Sequence, residues 1–400
     1  MKAHQTRRCA SFRLSCAALL ITAATAAMLP AAQEVDKSEL VLKLEPEILK
    51  TMMNGQIPSS AVALVRGEEI VWQNAYGYSN VWAQTPAFPR SVYLIGSTFK
   101  AMSTFALLQQ MEQGKFKLDD PVNSYLKEFK IQGEPPGNPV TFRQLLTHTS
   151  GLPADFGPCS VWSYNAPLSL RSYLEQSLRL KNPPLTRLVY SNLAYTLVAY
   201  LVETFSGVSY RKYIQENIFD PLEMADTAFE PRPDMVERLT IPYYFDAKTK
   251  SYIPVGWSKA NVWPAGIVYG TVLNEANWLI ANLNQGVFKS RRLISEASFQ
   301  EMMTRQYDEF AGPLTEGWLN ETTGYGLTWW ISELNGEKIF AHSGSVMGYT
   351  AFLVGNLDRK IGFAILTNGN RAHRYLFDLG LKAMEILDSL IPTPDPLSPR

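Results

Sequence analysis

A net charge is missing from this 400-residue chain: Lys plus Arg and Asp plus Glu both number 37. No overall field recruits nucleic acid or an anionic membrane, and the chain has neither a basic stripe nor an acidic tail. Histidine is scarce, and His4, His148, His342 and His373 are too scattered to argue for zinc. With no H-E-x-x-H run and no cysteine cluster, no metal or other cofactor is expected. A Gly-rich phosphate loop, a G-x-S-x-G elbow, internal repeats and low-complexity tracts are absent as well. Of the three cysteines, Cys9 and Cys16 fall in an N-terminal segment expected to be removed, so Cys159 is left alone and no intrachain disulfide can form. The Gly157-Pro158-Cys159-Ser160 stretch has no histidine near it in sequence, which disfavours a cysteine nucleophile. The partner that remains is a small molecule or a peptide.

What is present is apolar material: 46% of residues are hydrophobic and 12% aromatic, enough for a large core. Lys2, Arg7, Arg8 and Arg13 precede an apolar run from Leu14 to Leu29 that ends among small residues, the order of a secretory signal. Residues 1–32 are therefore expected to be a signal peptide, cut after Ala26 or nearer Ala32, and the mature protein to be periplasmic or secreted. The run is somewhat short for a bilayer span, so no stable span is expected after cleavage. One enzyme domain is expected over 33–390, and residues 391–400, with four prolines, read as a loose tail.

Apolar positions Leu40, Leu42, Leu44, Ile48 and Met52 predict an amphipathic helix over Glu39–Met53. The runs Ser60–Val65 and Ile70–Tyr76, joined by Arg66-Gly67-Glu68-Glu69, predict a hairpin. A helix is expected from Ser97 to about Gln113, stopped by Gly114. Residues 118–300 read as helical segments broken by proline-rich loops. Strands return at Lys338–Ala341, Tyr349–Val354 and Ile361–Leu366, and a helix follows from about Arg371 to Leu387. The pattern implies an α/β (α+β) fold, with an antiparallel sheet assembled from both ends of the chain and a helical insertion beside it.

Three short patterns carry candidate chemistry. Ser97-Thr98-Phe99-Lys100 is an S-x-x-K element at a helix start, and three residues of helix bring amine and hydroxyl to one face. Ser124 and Ser209 head the same pattern, but Ser209 reads better as a helix cap. Tyr190-Ser191-Asn192 falls in a stretch read as helical, and His342-Ser343-Gly344 at the end of a strand, where glycine lets a substrate backbone approach. His148 reads as a structural residue before a glycine turn.

In this order the patterns resemble the class C β-lactamases and their relatives among D-alanyl carboxypeptidases, D-aminopeptidases and esterases. The resemblance extends to Leu118-Asp119-Asp120-Pro121-Val122, to Leu145-Leu146-Thr147-His148-Thr149-Ser150-Gly151-Leu152-Pro153, to Ile218-Phe219-Asp220-Pro221-Leu222, to Pro264-Ala265-Gly266 and to Gly324-Tyr325-Gly326-Leu327. It implies a β-lactamase/transpeptidase-like fold with a cleft between sheet and helices. It also implies Ser97 as nucleophile, Lys100 and Tyr190 as a coupled base, and substrate contacts from Asn192, His342, Ser343 and Gly344. The backbone amides of Ser97 and Ser345 would form the oxyanion hole. The activity implied is hydrolysis of β-lactams, D-amino-acid peptides or small esters through an acyl-enzyme. The rival reading is a non-catalytic sensor of penicillin or peptidoglycan.

Two departures stand out. Class C enzymes usually carry lysine where this chain has His342, so a carboxylate would meet an imidazole expected to gain charge only below its ordinary pKa near ~6.5. Ala154-Asp155-Phe156 stands where an amide side chain often helps bind substrate.

Overall fold

A computed structural model describes residues 35–154, 168–256, 259–308, 323–370 and 372–391. The export reading of residues 1–32, Asp155, Cys159 and all but Ile391 of the tail lie outside the described residues.

The N-terminal hairpin forms from Ser59–Arg66 (β1) and Glu69–Asn80 (β2), with Gly67 turning the chain at φ +58°. Thr85–Pro86 (β3) lines the outer edge of β2. From the other end of the chain come Gly324–Tyr325 (β4), Trp330–Leu334 (β5), Glu337–Val346 (β6), Tyr349–Asn356 (β7) and Ile361–Thr367 (β8). One eight-stranded sheet results, in the order β4-β5-β6-β7-β8-β1-β2-β3, with every neighbouring pair antiparallel.

The central strands are buried on both faces, because layers of helix cover the sheet above and below. In β1, Ala61, Ala63 and Val65 join one core while Val62 and Leu64 join the other, as strand alternation requires. The helices Lys37–Gly55 (α1) and His373–Ser389 (the C-terminal helix) close the second core. Asp36 caps α1 by accepting from the Ser38 and Glu39 amides, and Leu40, Leu44, Ile48 and Met52 form its buried stripe. The opposite face carries the helices Lys100–Glu112 (α2), Asn192–Ser206 (α3) and Val272–Leu283 (α4), of which α4 lies against β1, β7 and β8.

Three expectations change. The strand expected over Lys338–Ala341 continues through His342, Ser343, Gly344 and Ser345 to Val346, then turns at Met347-Gly348, both at positive φ. Polar side chains and a glycine weaken the sequence signal there, yet pairing with β7 persists to Val346↔Tyr349. Strands β4 and β5 were not anticipated. The second hairpin strand, expected to end at Tyr76, runs on to Asn80 in β2. Among the described residues, no helix is long and apolar enough to cross a membrane.

Candidate active site

Ser97 stands in a 3-10 turn, Gly96–Phe99, that runs directly into α2. The segment before it is tied down: Tyr93–Leu94 pair with Tyr269–Gly270, and Asp226 holds both Arg90 and Arg238 at 2.8 Å. The turn therefore reaches the sheet in a set position. Lys100 points back along the same face, fully buried, with Nζ 2.9 Å from Ser97 Oγ and 2.7 Å from the carbonyl oxygen of Ala265. The S-x-x-K spacing thus yields a direct amine–hydroxyl contact. Its two competitors do not share this setting: Ser209 caps the short helix Tyr210–Ile214, and Ser124 and Lys127 are exposed.

The nucleophile turn abuts strand β6 without room for side chains. A Cβ on Gly344 would fall 2.2 Å from the Ile95 carbonyl oxygen and 3.0 Å from the Ser97 nitrogen. A Cβ on Gly96, at φ +62°, would lie 2.9 Å from the Ser345 nitrogen. Both positions require glycine, and through them the Gly96–Ser97 turn packs directly on the Gly344–Ser345 backbone.

Tyr190 enters from a third direction. Contrary to the helical reading, it lies outside the helix, just ahead of α3; Ser191 caps that helix by accepting from the Ala194 amide, and Asn192 is its first residue. Side-chain capping by serine competes with helix at this position, which the sequence pattern of Leu188, Leu193 and Leu197 conceals. The Lys100 Nζ sits 4.9 Å from the Tyr190 ring centroid and 5.6 Å from that of Tyr195. Asn192 is partly exposed at the start of α3.

His342 and Gly344 share the face of β6 that looks toward α2 and α3, whereas Ser343 and Ser345 alternate to the other. The His342 ring lies 6.3 Å from that of Tyr190, but only 2% of the residue is exposed. Its Nδ1 is 2.6 Å from the Ser343 carbonyl oxygen, which can only accept, so Nδ1 carries the proton. Burial foremost, then the Lys100 charge, push its pKa down to about 3, against the bond to Ser343. The expectation that this imidazole gains charge near 6.5 is corrected accordingly: a buried ring beside a lysine stays neutral.

The residue that sequence reasoning undervalued is His148. It is fully buried, sits at φ +59°, and its ring lies 4.2 Å from that of Tyr190. No short pattern flags this, because the two are 42 positions apart; the signal was the Leu145–Pro153 motif taken as a whole. Among the described residues, no group of His, Cys, Asp and Glu side chains is arranged to hold a metal ion.

Comparison with known proteins bears on this geometry. The family model described as Beta-lactamase matches residues 45–385. The chain belongs to the beta-lactamase family. Protein flp of Staphylococcus aureus (strain NCTC 8325 / PS 47) is 26% identical over 322 residues, which are 80% of this chain and 61% of flp. The chain thus spans about three-fifths of the length of that relative. Penicillin-binding protein 4* of Bacillus subtilis (strain 168) is 26% identical over 334 residues, 79% of this chain and 69% of the relative. Among solved structures, the octameric penicillin-binding protein homologue from Pyrococcus abyssi superposes with a TM-score of 0.73 at 26% identity, covering 87% of this chain and 77% of that one. The fold of this family member is that of the β-lactamases and transpeptidases, and the family supports a serine hydrolase or acyl-transferase kind of activity.

Proposed function

We propose that the protein is a serine hydrolase that cleaves ester or amide bonds through a covalent acyl-enzyme on Ser97. The observation that carries this reading is the 2.9 Å contact of Lys100 Nζ with Ser97 Oγ, made on a turn packed against the Gly344–Ser345 backbone. In acylation, Ser97 Oγ attacks the substrate carbonyl carbon while its proton passes to the Lys100–Tyr190 pair. The carbonyl oxygen takes up negative charge facing the Ser97 and Ser345 amides. As the tetrahedral intermediate collapses, Tyr190 returns a proton to the leaving oxygen or nitrogen. A water then repeats the sequence on the ester, releasing the acid and restoring Ser97. Asn192 and Gly344 would border the bound acyl group, and Ser343, whose side chain turns to the other face, only through its backbone.

His342 bears on the substrate class. As a buried neutral imidazole it offers no cation to a carboxylate near neutral pH, which supports small esters or D-amino-acid amides ahead of anionic β-lactams. Export by residues 1–32 completes the reading; sequencing of the mature N-terminus, expected between Ala27 and Glu34, tests it.

Mass spectrometry after a fluorophosphonate tests the nucleophile: an adduct on the Ser97 peptide is expected, and one on Ser124 or Ser209 ends the proposal. A panel of nitrocefin, D-alanyl peptides and p-nitrophenyl esters ranks the substrates. Lys100→Met and Tyr190→Phe should each lose at least ~100-fold in kcat. The double variant should lose little more, because groups acting as one base are not additive.

A further inference from the structure

The segment that presents Tyr190 is held from both sides by a single residue. The amide of Val189 donates to the His148 carbonyl oxygen at 2.8 Å, and the amide of Ser191 donates to His148 Nδ1 at 3.0 Å. The amides of the two residues that flank Tyr190 therefore both end on His148, while its ring covers the tyrosine ring at 4.2 Å with a 36° tilt. Neighbouring bonds extend this seam: Leu185 donates to the Thr149 carbonyl and Lys181 to that of Gly151, at 2.8 and 2.9 Å. On its other sides the imidazole meets Tyr195 at 5.2 Å and Tyr325 at 5.5 Å.

We propose that His148 is the positioning residue for Tyr190, setting the phenol against Lys100 and Ser97 through its ring and its Nδ1 acceptor. The proposal rests on the reading of Tyr190 as part of the catalytic base. An acceptor at Nδ1 requires the neutral imidazole with its proton on Nε2. Burial foremost, then the charge of Lys100, hold the pKa of His148 well below its ordinary value, so the acceptor persists through the working range. A left-handed φ of +59° costs a histidine backbone strain, retained here where it brings carbonyl and imidazole to bear on the same three residues. His148 does not reach the reacting atoms; it acts through Tyr190.

The test is a double-variant cycle on p-nitrophenyl ester hydrolysis, with thermal unfolding recorded for each protein. His148→Phe keeps an aromatic ring and removes the acceptor. It should lower kcat by about 10- to 100-fold, the cost of misplacing a catalytic group by an ångström or so, with KM changed less than about threefold. Placed on Tyr190→Phe, the same substitution should lower kcat less than about threefold further, because the group it positions has lost its hydroxyl. His148→Asn, which preserves a side-chain acceptor and tolerates left-handed backbone, should recover at least tenfold of the kcat lost in His148→Ala. It also carries the test if His148→Phe does not fold. Equal losses in both backgrounds, an unchanged kcat in His148→Phe, or Asn no better than Ala would each overturn the proposal. If Ser97→Ala or Tyr190→Phe retains full activity, the catalytic reading itself has failed; if both are inactive while His148→Phe is fully active, only the positioning role has.

Discussion

The two faces of the sheet are covered by different kinds of material. Under α1 and the C-terminal helix the core is mainly aliphatic and aromatic, from Leu40 and Leu44 to Phe363 and Leu387, with the buried Ser60 hydroxyl donating to Met52 Sδ. Across the sheet, an equally buried layer admits Lys100, His148, His342 and Glu275, all at 2% exposure or less. Burying such groups costs free energy unless they are paired or give up their charge. Three of them crowd around Tyr190, and all three histidine and glutamate groups have displaced pKa values. One face is therefore built to hold the fold, and the other carries polar groups at a cost to stability in return for chemistry.

That contrast predicts opposite signatures for substitutions on the two sides. Ser97→Ala should lower kcat about 10³-fold or more while leaving the unfolding midpoint within a degree or so, since it removes only a partly exposed hydroxyl. Phe363→Ala on the other face should do the reverse. Phe363 is fully buried between Leu64 and Val354, and its truncation should cost about 3–5 kcal/mol in urea unfolding with the kcat of the folded fraction unchanged. A kcat loss in Phe363→Ala comparable to that of Ser97→Ala would break the division between the faces.

The apolar face was the more legible in sequence. Period-two and period-3.6 patterns marked β1, β2, β7, β8 and α1 to within a few residues, because burial of one stripe or face writes itself into local spacing. The S-x-x-K pair was legible for the same reason, its two members being one helical turn apart. Other features depend on contacts with no local trace. The support of Tyr190 by His148 rests on bonds between residues 41 and 43 positions apart, and Gly344 is required by a carbonyl in the distant Ile95. Strand β5 escaped notice because only Trp330 and Ile331 of its five residues are buried, too few for a periodic signal. Glu275, polar in a helix, reads as a surface residue, and only the packing of α4 onto the sheet reveals that it is enclosed.

Glu275 offers the next sharpest test. Neither of its carboxyl oxygens has a hydrogen-bond partner among the described residues; the nearby Thr98 hydroxyl gives its proton to the Ile95 carbonyl at 2.9 Å. Burial raises its pKa from 4.5 to about 8. Between those values the unfolded chain releases a proton that the folded chain keeps, so stability falls as pH rises from 4.5 to about 8. At pH 7 the cost is on the order of 3 kcal/mol, at ~1.4 kcal/mol per pH unit. Glu275→Leu should recover most of it at pH 7 and little at pH 4.5, as read from urea midpoints. An equal gain at both pH values would show that packing, not charge, is responsible.

His342 should act with the opposite sign and a smaller effect. Its pKa falls from 6.5 to about 3, so between those values the unfolded chain binds a proton that the folded chain refuses. Its contribution to stability is intact above 6.5 and is lost as pH falls toward 3. By pH 5 the loss is roughly 2 kcal/mol. His342→Gln, which cannot titrate, should flatten the acid side of the stability profile by one proton's slope between pH 6.5 and 5. A residual slope should remain from His148 and His373, both also held below their ordinary pKa by burial. The rate profile of the native enzyme on a carboxylate-bearing substrate should correspondingly show no gain in affinity on crossing pH 6.5. If instead KM for such substrates drops there, while for neutral esters it stays level, then His342 becomes charged in the complex. The cleft face would then open to water on substrate binding, and the division between a dry apolar face and a dry polar one would hold only for the free protein.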